Sequence, residues 1–257
     1  MHDWWPDFVS DPVPRALAGR VLSRALPKAA RVWVASDELA EKAYAHGSAM
    51  VEVLRPMPAG WIGPAPNRRN RLQLVAFGSY CADHAPIYAA LAARLQALSG
   101  SLVVVSPEPA QVQRDLAACS NVTVKPFFRT PEEALAFAVE EADALVVAYP
   151  FAESRNPWIH NSFPSKFVEF VHAGLPILLI APKASSLGNW AVRNRWSLSI
   201  DTCEQAAVDA ALNQVRTPNT WEICAAEVRS LAVNEFSPDR IHQQLRAGLL
   251  STVPPQP

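Results

Sequence analysis

The sequence predicts an α/β protein built on a Rossmann-like parallel sheet with helices on both faces, preceded by a partial α/β segment. Short apolar runs alternate with helical stretches from residue 71 onward, which is the pattern of βαβ units. These runs are continuous rather than alternating, as expected for strands that are buried on both faces. With 257 residues, 50% of them hydrophobic, the chain can bury one large or two small cores.

Composition excludes several function classes. A net charge of -1 gives no basic footprint, so we expect no nucleic-acid partner. The four cysteines are widely spaced and form no C-x-x-C pair, which predicts neither a zinc site nor a disulfide framework and suits a reducing cytoplasm. The sequence has no apolar run of about 18 residues and no signal-peptide pattern, so we expect a cytoplasmic protein.

Residues 1–55 are predicted to form the remnant of an N-terminal domain. After an irregular start, residues 13–26 have the apolar spacing of an amphipathic helix. Its arginines either face solvent or meet anionic head groups at the inner membrane face, so peripheral membrane contact is one interpretation. A strand at residues 31–35, a helix capped by Ser36 and a strand at residues 50–54 follow.

Residues 56–70 are rich in proline and glycine and are interpreted as a linker to a domain at residues 71–235. The end of the chain, residues 236–257, is predicted as a helix and tail. Within the domain, strands are predicted at residues 72–77, 102–105, 122–126, 144–148, 177–180 and 196–200, and helices at residues 86–98, 109–118 and after Thr130. Right-handed crossovers then favour the strand order 3-2-1-4-5-6.

This strand order predicts where a ligand binds. The winding reverses between the first and fourth strands, so a crevice should open at their carboxyl ends. The loops at that place are residues 78–81 and residues 149–163. The second loop is long and polar, and long loops at such positions are usually functional.

The second loop runs directly into residues 161–180, which indicate a loop, a short helix, a stop and a buried strand. Pro164 suits the first helical position and Gly174 suits a C-terminal cap. Phe167, Phe170 and Val171 share one helical stripe that should pack on the sheet.

Lys166 and Glu169 lie side by side next to that stripe, near the start of the helix. Free amides at a helix start favour an anion, and a lysine in the first turn adds positive charge, so a phosphate is the natural ligand. The alternative is an ordinary i,i+3 surface pair worth a few tenths of a kcal/mol.

The string Pro164-Ser165-Lys166-Phe167-x-Glu169-Phe170-x-x-x-Gly174-x-Pro176 resembles the donor-site signature of glycosyltransferases with two Rossmann-like domains, the GT-B fold, and in particular the family 4-like members. The resemblance extends from residue 72 to about residue 250. It implies a nucleotide-diphosphate sugar, of the UDP or GDP type, as donor. The donor-binding residues it implies are Gly78, Ser79, Tyr80, Phe128, Arg129, Ser162, Phe163, Pro164, Ser165, Lys166 and Glu169.

Lys166 and Asn161 are the catalytic candidates under this resemblance. Lys166, with the amides of Ser165 and Lys166, would stabilise the leaving diphosphate, and Glu169 would bind the ribose. Phe127 and Phe128 would line the base, although core packing is an equal alternative for each.

Two departures from the family pattern concern the chemistry. Retaining members often carry a glutamate eight residues before the ribose-binding glutamate, and this chain has Asn161 there. Members also often place an arginine and a lysine after the first strand, and residues 78–89 contain neither. Lys166, with Arg155 or Arg129, would have to neutralise the diphosphate.

The resemblance therefore predicts a glycosyltransferase, or its donor-binding half, acting in bacterial-type glycan or polysaccharide synthesis. The acceptor would be a glycan, a lipid or a small molecule, and a partner chain would supply a missing N-terminal half. The alternative is a catalytically degenerate scaffold module. No cofactor and no metal are expected, because no D-x-D pattern or His/Cys cluster occurs. His84, beside Asp83, and His160 are considered as general bases.

Overall fold

A computed structural model of the protein describes residues 3, 5–8, 11–60, 66, 68, 69 and 71–251. A two-stranded parallel sheet contains β1 (Val32–Val34) and β2 (Val51–Val53). The larger parallel sheet contains β3 (Gln73–Phe77), β4 (Ser101–Ser106), β5 (Val122–Pro126), β6 (Ala144–Ala148), β7 (Ile177–Ile180) and β8 (Ser199–Ile200). The predicted α/β class with a Rossmann-like parallel sheet is confirmed.

Ten α-helices occur within the described residues. They are α1 (Pro12–Ala25), α2 (Asp37–Ala45), α3 (Ala85–Ala97), α4 (Pro109–Asp115), α5 (Pro131–Glu141), α6 (Ser165–Phe170), α7 (Ser186–Arg193), α8 (Gln205–Arg216), α9 (Pro218–Asn234) and α10 (Pro238–Ser251). Residues 61–65, 67 and 70 of the predicted linker and residues 252–257 of the predicted tail lie outside the described part of the chain.

The strand order of the large sheet is β5-β4-β3-β6-β7-β8, which is the predicted order when β3 is counted as the first strand. β3 pairs with β4 on one side and with β6 on the other. The crossovers change direction between these two neighbours, so the loops after β3 and β6 separate there. This geometry creates the crevice in which the candidate site lies.

The last strand is shorter than predicted. Residues 196–200 were expected to pair along the edge, but only Ser199–Ile200 do so. Trp196 is buried and its indole N–H donates to the Ile177 carbonyl at 3.0 Å. The first part of the segment therefore anchors the edge through a side chain instead of through the backbone ladder.

Helices α7, α8 and α9 were not assigned from the sequence, although the signals are present. In α8 the buried residues Val208, Ala211, Leu212 and Val215 follow the i, i+3, i+4, i+7 spacing of an amphipathic helix. Pro218 occupies the first turn of α9, where a missing N–H costs nothing.

An aromatic cluster lies beneath the loop that leads into α6. It consists of Phe163, Phe167, Trp190, Trp196 and Phe236, all buried. The rings of Phe167 and Trp190 meet edge to face, with centroids 4.9 Å apart at 74°. This cluster fixes the position of the loop from below.

Arg55 ties the first α/β segment to this cluster. Its guanidinium lies 4.1 Å from the centroid of the Phe163 ring, a cation–π contact. It donates to the Ala35 carbonyl at 2.7 Å and lies 3.3 Å from a carboxylate oxygen of Glu235. One side chain therefore joins the residue after β1, the loop before α6 and the end of α9.

The short helix agrees with the predicted motif except at its first residue. Phe167, Phe170 and Val171 are buried, as the predicted stripe required. Pro164 is the N-cap and not the first helical residue, because its φ of -72° and ψ of 109° are extended. Gly174 ends the following 3-10 turn with a left-handed φ of 66°, which confirms the predicted cap.

Helix α1 presents an apolar stripe to solvent. Val13, Leu17 and Val21 are 75%, 62% and 56% exposed, and only Ala18 of the helix is buried. Arg20 and Arg24 are exposed and share the face with the stripe at helical spacing. Within the described residues no helix combines the length and the hydropathy needed to cross a bilayer.

Replacing Gly174 by alanine should destabilise the protein by about 1–2 kcal/mol, because an L-residue is strained at left-handed φ. The added Cβ would also lie 3.3 Å from side-chain carbons of Arg229 and Pro66. Urea unfolding measures the change. Gly19→Ala, in α1 with no atom within 4 Å of the new Cβ, is the matched control and should stabilise by up to about 1 kcal/mol. Equal effects at both positions would contradict the strained cap.

Candidate functional site

A cavity of about 340 Å³ lies at the carboxyl ends of β3 and β6. Most of its lining comes from the loop after β3, the end of β6 and the loop before α6, and Asp3 and Tyr88 of α3 complete it. The lining includes eight of the residues expected from the sequence, namely Gly78, Ser79, Tyr80, Ser162, Phe163, Pro164, Ser165 and Lys166. The structure thus brings residues 78–80 and 162–166, which are far apart in sequence, to one place.

A second cavity of about 200 Å³ lies after β5, and Lys166 lines both cavities. Phe127, Phe128 and Arg129 line the second one. Phe127 is 40% exposed, whereas Phe128 packs on Phe137 with ring centroids 5.0 Å apart. Phe128 thus serves the core as well as the cavity wall, while Phe127 has a free face.

Lys166 and Glu169 point to different neighbours. The Lys166 ammonium lies over the Phe127 ring, 5.6 Å from its centroid. Both carboxylate oxygens of Glu169 accept from the Ala59 amide, at 3.2 and 3.3 Å, and Glu169 lines neither cavity. Burial raises the pKa of Glu169, opposed by the Ala59 amide and by the charge of Lys166.

Asn161 is held by the first residues of the chain and is not in the cavity wall. Its side-chain amide donates to Asp7 at 2.8 Å, and its carbonyl accepts from the Ser36 hydroxyl. Asp7 also binds the Lys42 ammonium at 3.0 Å. The predicted catalytic candidate Asn161 therefore has structural partners and lines neither cavity.

Asp3 is a cavity residue that sequence reasoning missed. It lines the larger cavity and accepts a hydrogen bond from the buried Ser162 hydroxyl. Residues 1–12 have no periodicity and match no motif, so no sequence signal indicates this placement. Among the described lining residues of this cavity, the charges at neutral pH are the carboxylate of Asp3 and the ammonium of Lys166.

Arg155, considered for diphosphate neutralisation, is paired with a carboxylate. Its guanidinium donates to both oxygens of Asp83, to Oδ2 at 3.1 Å, and Asn156 donates to the same Oδ2 at 2.8 Å. These hydrogen bonds lower the pKa of Asp83. The ion pair between Arg155 and Asp83 therefore joins the loop after β3 to the loop after β6 beside the cavity.

His84 is a buried cavity residue whose Nδ1 lies 3.2 Å from the sulfur of Cys81. Its Nδ1 accepts from the Cys81 amide at 3.2 Å, and the Ala148 carbonyl also meets the ring. Burial lowers the pKa of His84. Asp83 binds Arg155 and Asn156 and no hydrogen bond joins it to the His84 ring within the described residues, so it does not orient His84 as a base.

His160 also has structural partners. Its Nδ1 lies 3.1 Å from the Ala184 carbonyl, and its Nε2 lies 3.4 Å from a carboxylate oxygen of Glu153.

Among the described residues, no group of three or more histidine, cysteine, aspartate or glutamate side chains could hold a metal ion. The crevice at the carboxyl ends of β3 and β6 is thus lined by Gly78 and by two side chains of opposite charge, Lys166 and Asp3.

No protein-family model matches this chain, and no curated protein sequence matches it. Solved structures are similar to it. HepE from Anabaena in complex with UDP and glucose has a TM-score of 0.71 and 14% identity, over 98% of this chain and 70% of that one. A variant of S. aureus TarM in complex with Fondaparinux, alpha-GlcNAc-glycerol and UDP has a TM-score of 0.67 and 11% identity.

The TarM match covers 90% of this chain and 46% of the TarM chain, so this chain spans under half of that relative's length. A glycosyltransferase from Rickettsia africae has a TM-score of 0.65 and 11% identity, over 91% of this chain and 65% of that one. These matches share the GT-B fold, and this chain therefore has that fold.

The burial of two histidines predicts acid sensitivity. Burial lowers the pKa of His84 and of His172, whereas an unfolded histidine has a pKa of about 6.5. Above pH 6.5 both rings are neutral in both states. Below it the unfolded chain takes up protons that the folded chain refuses, so the free energy of unfolding falls as pH falls.

His84→Gln should make that decline shallower between pH 6.5 and 5, as measured by urea unfolding at stepped pH. His242→Gln, at an exposed position on α10, is the control and should keep the slope of the unmodified protein. An unchanged slope in His84→Gln would contradict the lowered pKa, because His84 would then bind protons equally in the folded and unfolded states.

Proposed function

We propose that this chain, which has the GT-B fold, is the donor-binding part of a glycosyltransferase that uses a nucleotide-diphosphate sugar. The observation that supports this most strongly is the position of Lys166, shared by two cavities at the place where the sheet winding reverses. A diphosphate seated at Lys166 would reach one cavity with its sugar and the other with its nucleoside.

Lys166 would lower the barrier by stabilising the charge that develops as the bond from the anomeric carbon to the phosphate oxygen breaks. The amides of Ser165 and Lys166 lie in the first turn of α6, where N–H groups have no intrahelical acceptor, and would add two donors. Gly78 has a φ of 151° and no atom within 4 Å of a Cβ position, so the wall there admits a ligand close to the backbone.

The base would lie against the free face of Phe127, with Arg129 at the edge of the same cavity. Glu169 would reach the ribose hydroxyls by releasing one of its two bonds to the Ala59 amide. A uridine nucleotide is the first choice, because HepE was solved with UDP and with UDP-glucose. The acceptor would be a glycan, lipid or small molecule of a bacterial-type polysaccharide pathway.

A catalytically degenerate scaffold is the second candidate function, and the charge balance favours it. Lys166 is opposed by Asp3 in the cavity, and Arg155 is engaged by Asp83. The positive charge of the site would therefore not balance the negative charge of the diphosphate in an anionic donor. A partner chain that supplies further cations is compatible with both candidate functions.

We also propose that α1 contacts the inner membrane face. Its exposed stripe would enter the lipid interface while Arg20 and Arg24 meet anionic head groups.

Lys166→Ala should weaken UDP binding at least about tenfold, because a charge-assisted hydrogen bond to phosphate is lost. The melting temperature should stay nearly unchanged, because no carboxylate lies within 4.0 Å of the Lys166 ammonium in the described part of the chain. Isothermal titration calorimetry measures the affinity. Lys28→Ala, which removes an exposed lysine near β1, is the control and should bind UDP normally.

Absence of UDP and GDP binding by the folded protein would remove the donor-site proposal. Binding without hydrolysis or transfer from UDP- and GDP-sugars, tested with mixed acceptors, would favour the scaffold.

Leu17→Gln combined with Val21→Gln should reduce co-sedimentation with phosphatidylglycerol vesicles at least about tenfold, because each buried side chain contributes roughly 1.5–3 kcal/mol. The matched control is Ile223→Gln with Val233→Gln, which changes two exposed apolar residues of α9. Equal loss in both variants would mean that α1 is not the contact.

A further inference from the structure

A cavity of about 620 Å³ lies at the opposite edge of the large sheet from the candidate donor site. It is lined by the start of β3 at Leu72 and by Asp143, which precedes β6, so it faces the amino ends of the strands. The five-residue strand β3 separates the two sites by about 17 Å, at roughly 3.3 Å per residue.

Four arginines from two distant stretches line this cavity, Arg68, Arg69, Arg71 and Arg216. The nearby acids are Asp143, which lines it, and Glu141, 3.8 Å from Arg71. Both carboxylate oxygens of Asp143 accept backbone amides, from Arg69 at 2.8 Å and from Gln73 at 3.0 Å. The carboxylate of Asp143 therefore binds backbone amides and forms no ion pair with an arginine of the cavity among the described residues.

Two of the four guanidinium groups have other structural roles. Arg68 donates to the Arg216 carbonyl at the end of α8, as arginines near helix ends often do. Arg71 pairs with Glu141. The side chains of Arg69 and Arg216 have no carboxylate within 4.0 Å among the described residues, so their charges remain for a ligand.

The first turn of α9 adds to the positive potential of the cavity. Thr217, its N-cap, and Pro218 line the cavity, and no side chain caps the free amides of this 17-residue helix. The ends of α3 and α8 also line the cavity, at Leu98 and Arg216, and the Arg216 carbonyl is bound by Arg68. The guanidinium charges outnumber the two carboxylates by two, so the net character is cationic.

We propose that this cavity, the arginine cavity, binds a phosphate group of a second, phosphorylated ligand. Guanidinium forks match phosphate oxygens in pairs, and a di-anionic group suits a site with two uncompensated arginines. This binding site is separate from the proposed donor function and does not depend on it. The phosphate would belong either to a soluble phosphorylated molecule or to a lipid head group.

The test uses the full chain carrying Lys166→Ala, so that pyrophosphate binding at the donor site is suppressed. This protein should bind inorganic pyrophosphate in isothermal titration calorimetry. Adding Arg69→Gln and Arg216→Gln should weaken that binding at least about tenfold. Arg69 and Arg216 form these hydrogen bonds through backbone atoms, so the substitutions should preserve folding. If the double variant does not fold, each single substitution is tested instead, and a smaller loss of binding is expected.

Arg114→Gln with Arg246→Gln, which removes two exposed arginines of α4 and α10, is the matched control and should leave binding intact. Dihexanoyl phosphatidic acid, below its micelle concentration, supplies the lipid arm. Tighter binding of this lipid than of pyrophosphate, lost in the arginine variant, would identify a head group, and the reverse order would identify a soluble phosphate. Failure to bind either probe, or equal binding by the arginine variant, would overturn the proposal, whereas UDP titration of the unmodified protein tests the donor site separately.

Discussion

The contact between Arg55 and Phe163 is the interaction on which the position of the candidate site depends. A guanidinium that is almost fully buried needs both polar partners and a face to stack on, and Arg55 has the Ala35 carbonyl, two carboxylates and the Phe163 ring. The ring belongs to the loop that places Ser165 and Lys166 in the cavity wall. Arg55 thereby connects the first α/β segment to the loop that positions the site.

The candidate site contains few charged side chains. Asp83 and Arg155 form an ion pair beside the cavity, and this pair joins the two loops that form the cavity walls. Glu169 is occupied by a backbone amide, so Lys166 is the cation that faces both cavities. A donor-binding enzyme and a degenerate scaffold are both compatible with this geometry, because Asp3 opposes Lys166 in the cavity and Arg155 is engaged by Asp83.

Much of the large sheet could be predicted from the sequence, because continuous apolar runs and helix spacing are local signals. The strand order followed from the handedness of crossovers, and Gly174 was identified as a cap by its position after a helix. The convergence of residues 78–80 with residues 162–166 followed from that order. The partners of Asp3, Asp7 and Arg155 could not be predicted, because they depend on contacts across as many as 159 residues of sequence that no local pattern encodes. From the sequence alone, His84 is therefore considered as a general base and Arg155 as a partner of the diphosphate, without the contact of Arg155 with Asp83.

The placement of Asp3 has a practical consequence for anyone who handles this protein. Asp3 lines the cavity at the carboxyl ends of β3 and β6 and accepts a hydrogen bond from the Ser162 hydroxyl, so a change to this side chain alters the surface that a ligand in the cavity would meet. A label attached to the side chain at position 3 would therefore stand at the cavity wall. Helix α10, whose Gln244 donates to the Val53 carbonyl of β2, contributes no residue to the lining of this cavity and is the better place for a label.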